Sequence, residues 1–264
     1  MPVYNTGTLA LGAARSAQAA LGGLNCVVVV DDGSRDPETL AVLDTLREEG
    51  FMVLRQPNGG VSSARNAGIR QLTTPYVIAL DSDDEILPDA PQAMAQLLDR
   101  NPDVAIVTGG AFEVSNGAET LSPPPDRAVT REEMRDFTLL ATASLFRRSD
   151  WEAVGGFPEG LSMGEDWVFW MRILRAGGKV EILDAPIARR HLGSHQVTSG
   201  YIDFRQSAKA RAVIRAENAD LYAGCETELI ELLNTAELQL AAYRHAYRHA
   251  DRLKARIRCG LGRL

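Results

Sequence analysis

A run of acidic residues is the clearest chemical feature of this chain. Asp81, Asp83 and Asp84 directly follow the apolar stretch 76–80, which has the composition of a buried strand. Carboxylates this close repel one another, so the cluster favours a bound divalent cation. In open α/β sheets, ligands bind at the carboxyl ends of strands, where such a cation would face a phosphorylated ligand. The same acids also fit a turn that caps the following helix, near Asp89.

Two further predicted strands end in polar residues. The stretch 26–30 contains four consecutive valines and is followed by Asp31 and Asp32, and the stretch 52–54 is followed by a turn rich in asparagine and glycine at 57–60. Successive strands therefore end in loops of ligand-binding composition. This coincidence is stronger evidence for a site than any one of the loops.

The elements around these residues alternate as in an α/β protein. Short β-branched runs are separated by helical segments, which predicts βαβ units and a mostly parallel sheet. Helices are predicted at 37–49, 62–71 and 91–98, and further strands at 104–108 and 142–146. The proline-rich stretch 115–126 is too long for a tight turn, so we expect a mobile loop or a lid.

A second pair of acids, Glu165 and Asp166, lies just ahead of a predicted aromatic-rich helix at 167–172. Acids in the first turn of a helix complement the positive end of its dipole and often serve as caps. Taken alone, this pair is explained by helix capping.

Composition excludes several classes of protein. With 264 residues and 45% hydrophobic content, the chain can form one sizeable domain with an appendage. A net charge of −7 argues against nucleic acid as a partner, because phosphate binding depends on Lys and Arg. The cysteines Cys26, Cys225 and Cys259 are widely spaced, which fits a reducing compartment. No apolar run reaches the ~18 residues of a membrane span and no signal peptide is recognisable, so we expect a cytoplasmic protein.

Seven short motifs occur in a specific order and spacing. They are Pro2-Val3-Tyr4-Asn5, Asp31-Asp32-Gly33-Ser34, Asn58-Gly59-Gly60, Ala64-Arg65-Asn66-Ala67-Gly68, Asp81-Ser82-Asp83-Asp84, Gly155-Gly156-Phe157 and Glu165-Asp166. Together they resemble the family 2 glycosyltransferases of the GT-A fold. The resemblance implies an α/β domain at 1–200 with a mostly parallel nucleotide-binding sheet flanked by helices, followed by a helical extension at 201–264.

The resemblance also implies an activity. A sugar would pass from a nucleoside diphosphate sugar to the hydroxyl group of a glycan or lipid-linked acceptor, with inversion, in the synthesis of cell-surface or extracellular polysaccharide. Asp166 would be the catalytic base, and the cofactor would be Mg²⁺ or Mn²⁺. The metal ligands would be Asp83, Asp81 and His191, although a surface role for His191 stays open.

The donor-binding residues implied by the resemblance lie in the first half of the chain. They are Pro2, Tyr4, Asp32, Arg65, Asp81 and Ser82. Tyr4 would pack on the nucleobase, Asp32 would accept its ring N–H, and Arg65 would contact the base or the diphosphate. Displacement at an anomeric carbon needs a deprotonated hydroxyl on one face and a stabilised diphosphate on the other. A single base with a metal favours direct displacement, while a retaining route stays open.

The chain departs from the family at its start. Relatives have a full apolar strand before this first motif, whereas here Met1 directly precedes Pro2. We expect a first strand that is absent or reduced to a stub, with the edges of its neighbours open. A start codon assigned too late or a shortened chain would explain this, and so would a degenerate protein that no longer transfers sugar.

The C-terminal end predicts a basic amphipathic helix. Tyr243, Tyr247, Leu253 and Ile257 fall on one stripe, and residues 243–264 contain seven Lys or Arg against one acid. The helix would either pack against the domain with a solvated basic face or bind an anionic membrane surface. The second alternative would place the protein peripherally at the inner face of the membrane.

Two other classes of function stay open. A non-catalytic nucleotide-sugar or carbohydrate-binding protein would keep the fold without the reaction. A nucleotidyltransferase or phosphohydrolase would use the acids at 81–84 on phosphate. A nucleotidyltransferase usually has a Gly-rich loop with a basic residue near its N-terminus, which this sequence lacks.

Overall fold

The computed structural model describes residues 1–192 and 204–224. The chain divides into two compact units, Met1–Glu217 and Asn218–Leu264. In the second unit the described residues include a short 3₁₀ helix at Ala219–Tyr222. The amphipathic helix expected at 243–264 lies outside the described residues, and the domain boundary expected after residue 200 stays a prediction. Within the described ranges, no helix combines the length and apolar character needed to cross a membrane.

The first unit alternates strands and helices. Its strands are β1 (Pro2–Val3), β2 (Val28–Asp31), β3 (Met52–Arg55), β4 (Tyr76–Ile78), β5 (Asp84–Ile86), β6 (Val104–Ser115), β7 (Ala118–Ser122), β8 (Leu145–Arg147) and β9 (Lys179–His191). Its helices are α1 (Leu9–Leu21), α2 (Pro37–Glu48), α3 (Val61–Gln71), α4 (Ala90–Arg100), α5 (Arg148–Ala153), α6 (Glu165–Arg175) and α7 (Phe204–Glu217). The helices predicted at 37–49, 62–71 and 91–98 are confirmed as α2, α3 and α4.

The first sheet is parallel and has the order β1-β2-β3. Its valine-rich strand β2 is buried on both faces, as predicted. Val27 and Val29 belong to the core formed with α1 and α2, whereas Val28 and Val30 pack against Ala64 of α3. Because successive side chains point to opposite faces of a strand, an uninterrupted apolar run suits this position between two helical layers.

The second sheet is mixed and has the order β4-β8-β6-β9-β5, with β7 paired to β6. β6 and β9 are parallel, and the other neighbouring pairs are antiparallel. An aromatic cluster packs α6 against this sheet. Phe146 of β8 meets Phe169 and Trp170 of α6 edge-on, at centroid distances of 5.1 and 5.6 Å. This packing fixes the helix whose first turn carries Glu165 and Asp166.

The stretch 115–126 is not the irregular loop that its prolines suggest. β6 and β7 form an antiparallel hairpin that pairs Ser115 with Ala118. The two turn residues, Asn116 and Gly117, have positive φ values of 50° and 77°. Asn-Gly is the preferred pair for a two-residue hairpin turn, and the prolines begin only after β7 ends. The expectation of a mobile loop or lid is therefore wrong for the part that forms this hairpin.

The first strand is short and the edges near it are open. β1 has two residues, which pair with Val30 and Asp31 of β2. β4 forms one edge of the second sheet. A cavity of about 300 Å³ lies between β2 and β4, and its mainly apolar lining includes Val28, Val77 and Ala79.

Candidate active site

The carboxyl ends of β1 and β2 carry loops that are joined through Asn5. Its side-chain Oδ1 accepts hydrogen bonds from the backbone N–H groups of Arg35 and Asp36, at 2.9 and 3.0 Å. Its own N–H donates to Ser34 Oγ at 3.1 Å. Asn5 adopts a left-handed φ of 51°, a conformation that asparagine tolerates better than most residues. These bonds position the loop on which Tyr4 lies.

Asp32 joins the loop after β2 to the loop after β3. Its buried carboxylate accepts hydrogen bonds from the backbone N–H groups of Gly59 and Gly60, at 2.9 and 2.8 Å. The Gln56 side chain donates a further bond to the same carboxylate, at 2.8 Å. Gly60 has a φ of +86°, which favours glycine and allows the loop to turn toward Asp32. Asp32 therefore organises the loops at the strand ends, and its predicted contact with a nucleobase stays a prediction.

An open cleft of about 510 Å³ lies beside these loops. It is lined by Tyr4, Gly33, Arg35, Arg55, Gln56, Pro57 and Asn58. Tyr4 is 51% exposed, so its ring is available to stack on a planar ligand. Pro2 lies within β1 and is buried, and its predicted contact with the donor stays a prediction. Ser82 approaches the loop after β1 from the acid cluster, because its Oγ lies 2.8 Å from Thr6 Oγ1.

The acid cluster follows β4, as predicted, but it does not cap a helix. Residues 81–83 form the turn between β4 and β5, and Asp84 is the first residue of β5. The next helix, α4, begins at Ala90, and its N-cap residue Asp89 makes no side-chain capping bond. The interpretation of the cluster as a helix cap is therefore wrong.

Negative charge is concentrated in this cluster. Burial, together with the charges of Asp81 and Asp83, raises the pKa of Asp84 to about 7. The positive charge of Arg190 and a hydrogen bond from the backbone N–H of His191 oppose this increase. Burial is the largest cause of this increase, and the neighbouring carboxylates add to it.

His191 lies beside the acid cluster. It is the last residue of β9, the strand that pairs with β5 in antiparallel register. Its backbone N–H donates to Asp84 Oδ1 at 3.2 Å, and its ring Nε2 lies 3.3 Å from Glu85 Oε1. The structure thus brings this histidine to the predicted site from more than 100 residues along the chain. Its role as a metal ligand stays a prediction.

Asp166 lies in the first turn of α6 and is half-buried. Its Oδ1 accepts a hydrogen bond from the N–H of Trp167 at 2.7 Å, and its Oδ2 lies 3.4 Å from Thr142 Oγ1. Burial and the charge of Glu165 raise the pKa of Asp166 to about 6, against the lowering effect of Arg65. The group is therefore ionised at neutral pH and is a stronger base than an ordinary aspartate.

Arg65 connects the acid cluster to α6. Its side chain, on α3, is only 4% exposed. Its Nη2 donates to Asp81 Oδ1 at 2.6 Å, and its Nη1 donates to Glu165 Oε1 at 2.7 Å. Burial lowers the pKa of Arg65, but the charges of the two carboxylates outweigh this effect and hold the pKa above its usual value. The arginine predicted to bind the donor is thus engaged by two carboxylates of the protein.

The neighbouring residue Asn66 has a structural role that its sequence motif does not reveal. Its amide donates to the carbonyl of Phe157 and accepts from the N–H of Phe157, both at 2.9 Å, and it also accepts from Trp151 Nε1. A Cβ on Gly156, whose φ is +81°, would lie 2.8 Å from Asn66 Oδ1. Adjacent residues of α3 therefore hold both the Gly-Gly-Phe turn and the first turn of α6. The family motif at 64–68 marks these residues in the sequence, but it does not reveal which residues they contact.

In the part of the chain that the structure describes, no group of three or more His, Cys, Asp or Glu side chains is arranged to hold a metal ion. Mg²⁺ often uses one or two carboxylates and completes its coordination with substrate phosphates and water. The adjacent carboxyl groups of Asp81, Asp83 and Asp84, with Asp81 partly exposed, fit that kind of site.

Residues 1–152 match the family described as Glycosyl transferase family 2. The chain belongs to the family 2 glycosyltransferases. Among curated relatives, it is 28% identical over 172 residues to the uncharacterised glycosyltransferase EpsJ of Bacillus subtilis, an alignment that covers 60% of this chain and 50% of that protein. It is 27% identical over 235 residues to the succinoglycan biosynthesis protein ExoO of Rhizobium meliloti, an alignment that covers 82% of this chain and 63% of that protein. The chain thus spans less than two-thirds of either relative.

Solved structures show that the fold is of the GT-A type. TarS from S. aureus, in complex with UDP-GlcNAc, superposes with a TM-score of 0.65 at 22% identity, over 81% of this chain and 64% of that chain. The mannosyltransferase PcManGT from Pyrobaculum calidifontis, in complex with GDP-Man and Mn²⁺, gives a TM-score of 0.59 at 19% identity. This superposition covers 90% of this chain and 79% of that chain. At these identities the likeness establishes a common fold.

Proposed function

We propose that this chain transfers a sugar from a nucleoside diphosphate sugar to an acceptor hydroxyl group, with inversion and with Mg²⁺ or Mn²⁺. The observation that carries the proposal is the arrangement around α6. Asp166, in the first turn of α6, has a raised pKa. Arg65 links the same turn, through Glu165, to Asp81 of the acid cluster after β4. Arg65 thus links the proposed base to the cluster proposed to hold the metal and the diphosphate.

The relatives support a role in polysaccharide synthesis. ExoO is named for succinoglycan biosynthesis, and a poly-β-1,6-N-acetyl-D-glucosamine synthase of Staphylococcus epidermidis is 34% identical over 84 residues. The structural neighbours hold UDP-GlcNAc or GDP-Man. We therefore propose a nucleoside diphosphate sugar as the donor and a growing glycan or a lipid-linked sugar as the acceptor.

On the acceptor side, Asp166 would remove the proton from the attacking hydroxyl. The acceptor oxygen then bonds to the anomeric carbon, while the bond from that carbon to the diphosphate oxygen breaks and its electron pair leaves with the diphosphate. Attack opposite the leaving group inverts the configuration at that carbon. A base with a pKa of about 6 remains ionised at neutral pH and still accepts a proton more readily than an ordinary aspartate.

On the donor side, the exposed ring of Tyr4 would stack on the nucleobase in the cleft beside Arg35 and Arg55. Asp81, Asp83 and His191 would hold the cation. When bound, that cation neutralises the charge that develops on the diphosphate as it leaves. The protein contributes the positions of these carboxylates, which are set by the turn between β4 and β5 and by the bond from Arg65 to Asp81.

Nucleotide binding tests the donor side of the proposal. Titration calorimetry with UDP, GDP and dTDP, with Mn²⁺ or with a chelator, should show metal-dependent binding of at least one nucleotide. Asp83→Asn should weaken that binding at least ~10-fold, because a metal ligand is lost. Asp44→Asn, at an exposed position of α2, is the matched control and should bind as the unmodified protein does. Equal affinity with and without metal would refute the metal assignment.

Turnover tests the acceptor side. Asp166→Asn should lower the rate of nucleotide release from the donor by ~10²-fold or more, the usual contribution of a general base. Its nucleotide affinity should stay within a factor of ~3 of the unmodified value, because the base does not contact the donor. An unmodified chain that binds nucleotide but releases no product from UDP-GlcNAc, GDP-Man or other donors would instead favour a non-catalytic binding protein.

A further inference from the structure

Arg65 is held by groups of the protein at its terminal nitrogens, whereas its buried Nε has no hydrogen-bond partner among the described residues. Its side chain is almost completely buried, and both terminal nitrogens are engaged by carboxylates at 2.6 and 2.7 Å. The guanidinium carbon also lies 5.3 Å from the centre of the Phe157 ring.

The two carboxylates belong to different parts of the proposed site. Asp81 lies in the turn after β4, on the side proposed to hold the donor and metal. Glu165 is the first residue of α6 and directly precedes Asp166. The rigid fork of a guanidinium can fix two carboxylates in a set geometry, which the single point charge of lysine cannot reproduce. Arg65 therefore spans the gap between the donor side and the base.

We propose that Arg65 is a positioning residue that joins Asp81 to the first turn of α6, and that it sets the place of Asp166 and the charge around it. The inference deepens the proposed function and rests on it. It adds organisation of the site to the donor contact that the family resemblance implies for this residue, and that contact stays a prediction. It also gives Glu165 a role, as the carboxylate through which Arg65 holds α6.

The charges that face Asp166 make the inference testable. Glu165, on the same helix, and Asp81, after β4, both raise the pKa of Asp166, whereas Arg65, on α3, lowers it. The N–H of Trp167 also lowers it, and Thr142 contributes only a neutral hydroxyl. Removing Arg65 would leave carboxylates facing one another without compensation. Removing Arg65 would therefore raise the pKa of Asp166, and removing the charge of Glu165 would lower it.

The experiment is a ¹³C-NMR titration of the Asp166 carboxyl group in the nucleotide-free protein. The signal is identified by its absence from the Asp166→Asn variant. Arg65→Met should raise the pKa of Asp166 by ~1 unit or more, and Arg65→Lys should raise it by less, since lysine keeps the charge but loses the fork. Glu165→Gln should lower it. Arg15→Met, which removes an arginine from the exposed pair with Glu49, is the control and should leave the titration unchanged.

The decisive result is that the Arg65 variants raise the pKa of Asp166 whereas Glu165→Gln lowers it. A role of these residues in packing alone would not produce shifts in opposite directions. If Arg65→Met does not fold, Arg65→Lys and Glu165→Gln decide the question. The inference is overturned if both leave the pKa of Asp166 within ~0.3 of its unmodified value, or if both move it in the same direction. The titration uses neither donor nor turnover, so a failed activity assay would count against the proposed function without affecting this result.

Discussion

Replacement of Asp166 by asparagine should make the protein more stable at neutral pH while it abolishes the proposed base. The structure raises the pKa of this carboxyl group from 3.8 to about 6, chiefly through burial and the charge of Glu165. Each pKa unit corresponds to about 1.4 kcal/mol, so the ionised group would cost the folded state at most about 3 kcal/mol. Because Asp166 is half-buried and solvent screens its charge, we expect a gain of about 1–2 kcal/mol.

The sign follows from proton binding. Between pH values of about 4 and 6, the folded protein holds a proton on Asp166 that the unfolded chain has released, so the free energy of unfolding falls as the pH rises through this range. The asparagine side chain of the variant has no proton to lose and escapes this decrease. Urea unfolding measures the free energy of unfolding of both proteins. Below about pH 4 the ionisation of Asp166 should contribute nothing to the difference between them, and at pH 7.5 the variant should be the more stable protein.

Asp44→Asn is the control for the loss of an aspartate charge in general. Asp44 is exposed and pairs with Arg47 one turn away on α2, so its replacement should change the free energy of unfolding by less than ~0.5 kcal/mol. The reasoning is refuted if Asp166→Asn is less stable than the unmodified protein at pH 7.5. A difference between the two proteins that does not change with pH would refute it equally.

Two further predictions concern the Gly-Gly-Phe turn and the C-terminal end. Gly156→Ala should lower the free energy of unfolding by about 2 kcal/mol more than Gly155→Ala does. Both glycines have positive φ, but only Gly156 faces Asn66 at close range. Equal losses of the two variants in chemical denaturation would contradict this prediction. If the basic residues at 243–264 bind membranes, the chain should co-sediment with anionic but not neutral vesicles, and less so as salt rises. A version ending at Leu240 should not co-sediment, and identical behaviour of the two would exclude the membrane role.

The parts of the fold that follow from local pattern were predictable. The valine run before Asp31 identified a doubly buried strand, and the helical segments at 37–49, 62–71 and 91–98 identified α2, α3 and α4. The hairpin of β6 and β7 was also readable from Asn116 and Gly117, but the neighbouring prolines obscured it. In each case the signal lies within a few residues, because strand burial, helix periodicity and turn type depend on near neighbours.

β9 was not predictable in the same way. It carries charged residues and Pro186 and is mostly half-buried, so it lacks the apolar pattern of a central strand. Its strand conformation depends on a long parallel pairing with β6 and an antiparallel pairing with β5. Such partners are distant in sequence, and their pairing places His191 beside Asp84.

Residue type and order alone specify which side chains are present for chemistry. The acids after β4, the acidic pair at the start of α6 and the arginine of α3 are all recognisable in this way, because motif spacing reflects strand ends and helix starts. What those groups contact becomes known only once the chain is folded. Arg65 meets Glu165 at a separation of 100 positions along the chain, and this contact buries a charge between two carboxylates. The role of a charged group depends on its solvation and on neighbours brought together by folding, and neither is encoded within a local motif.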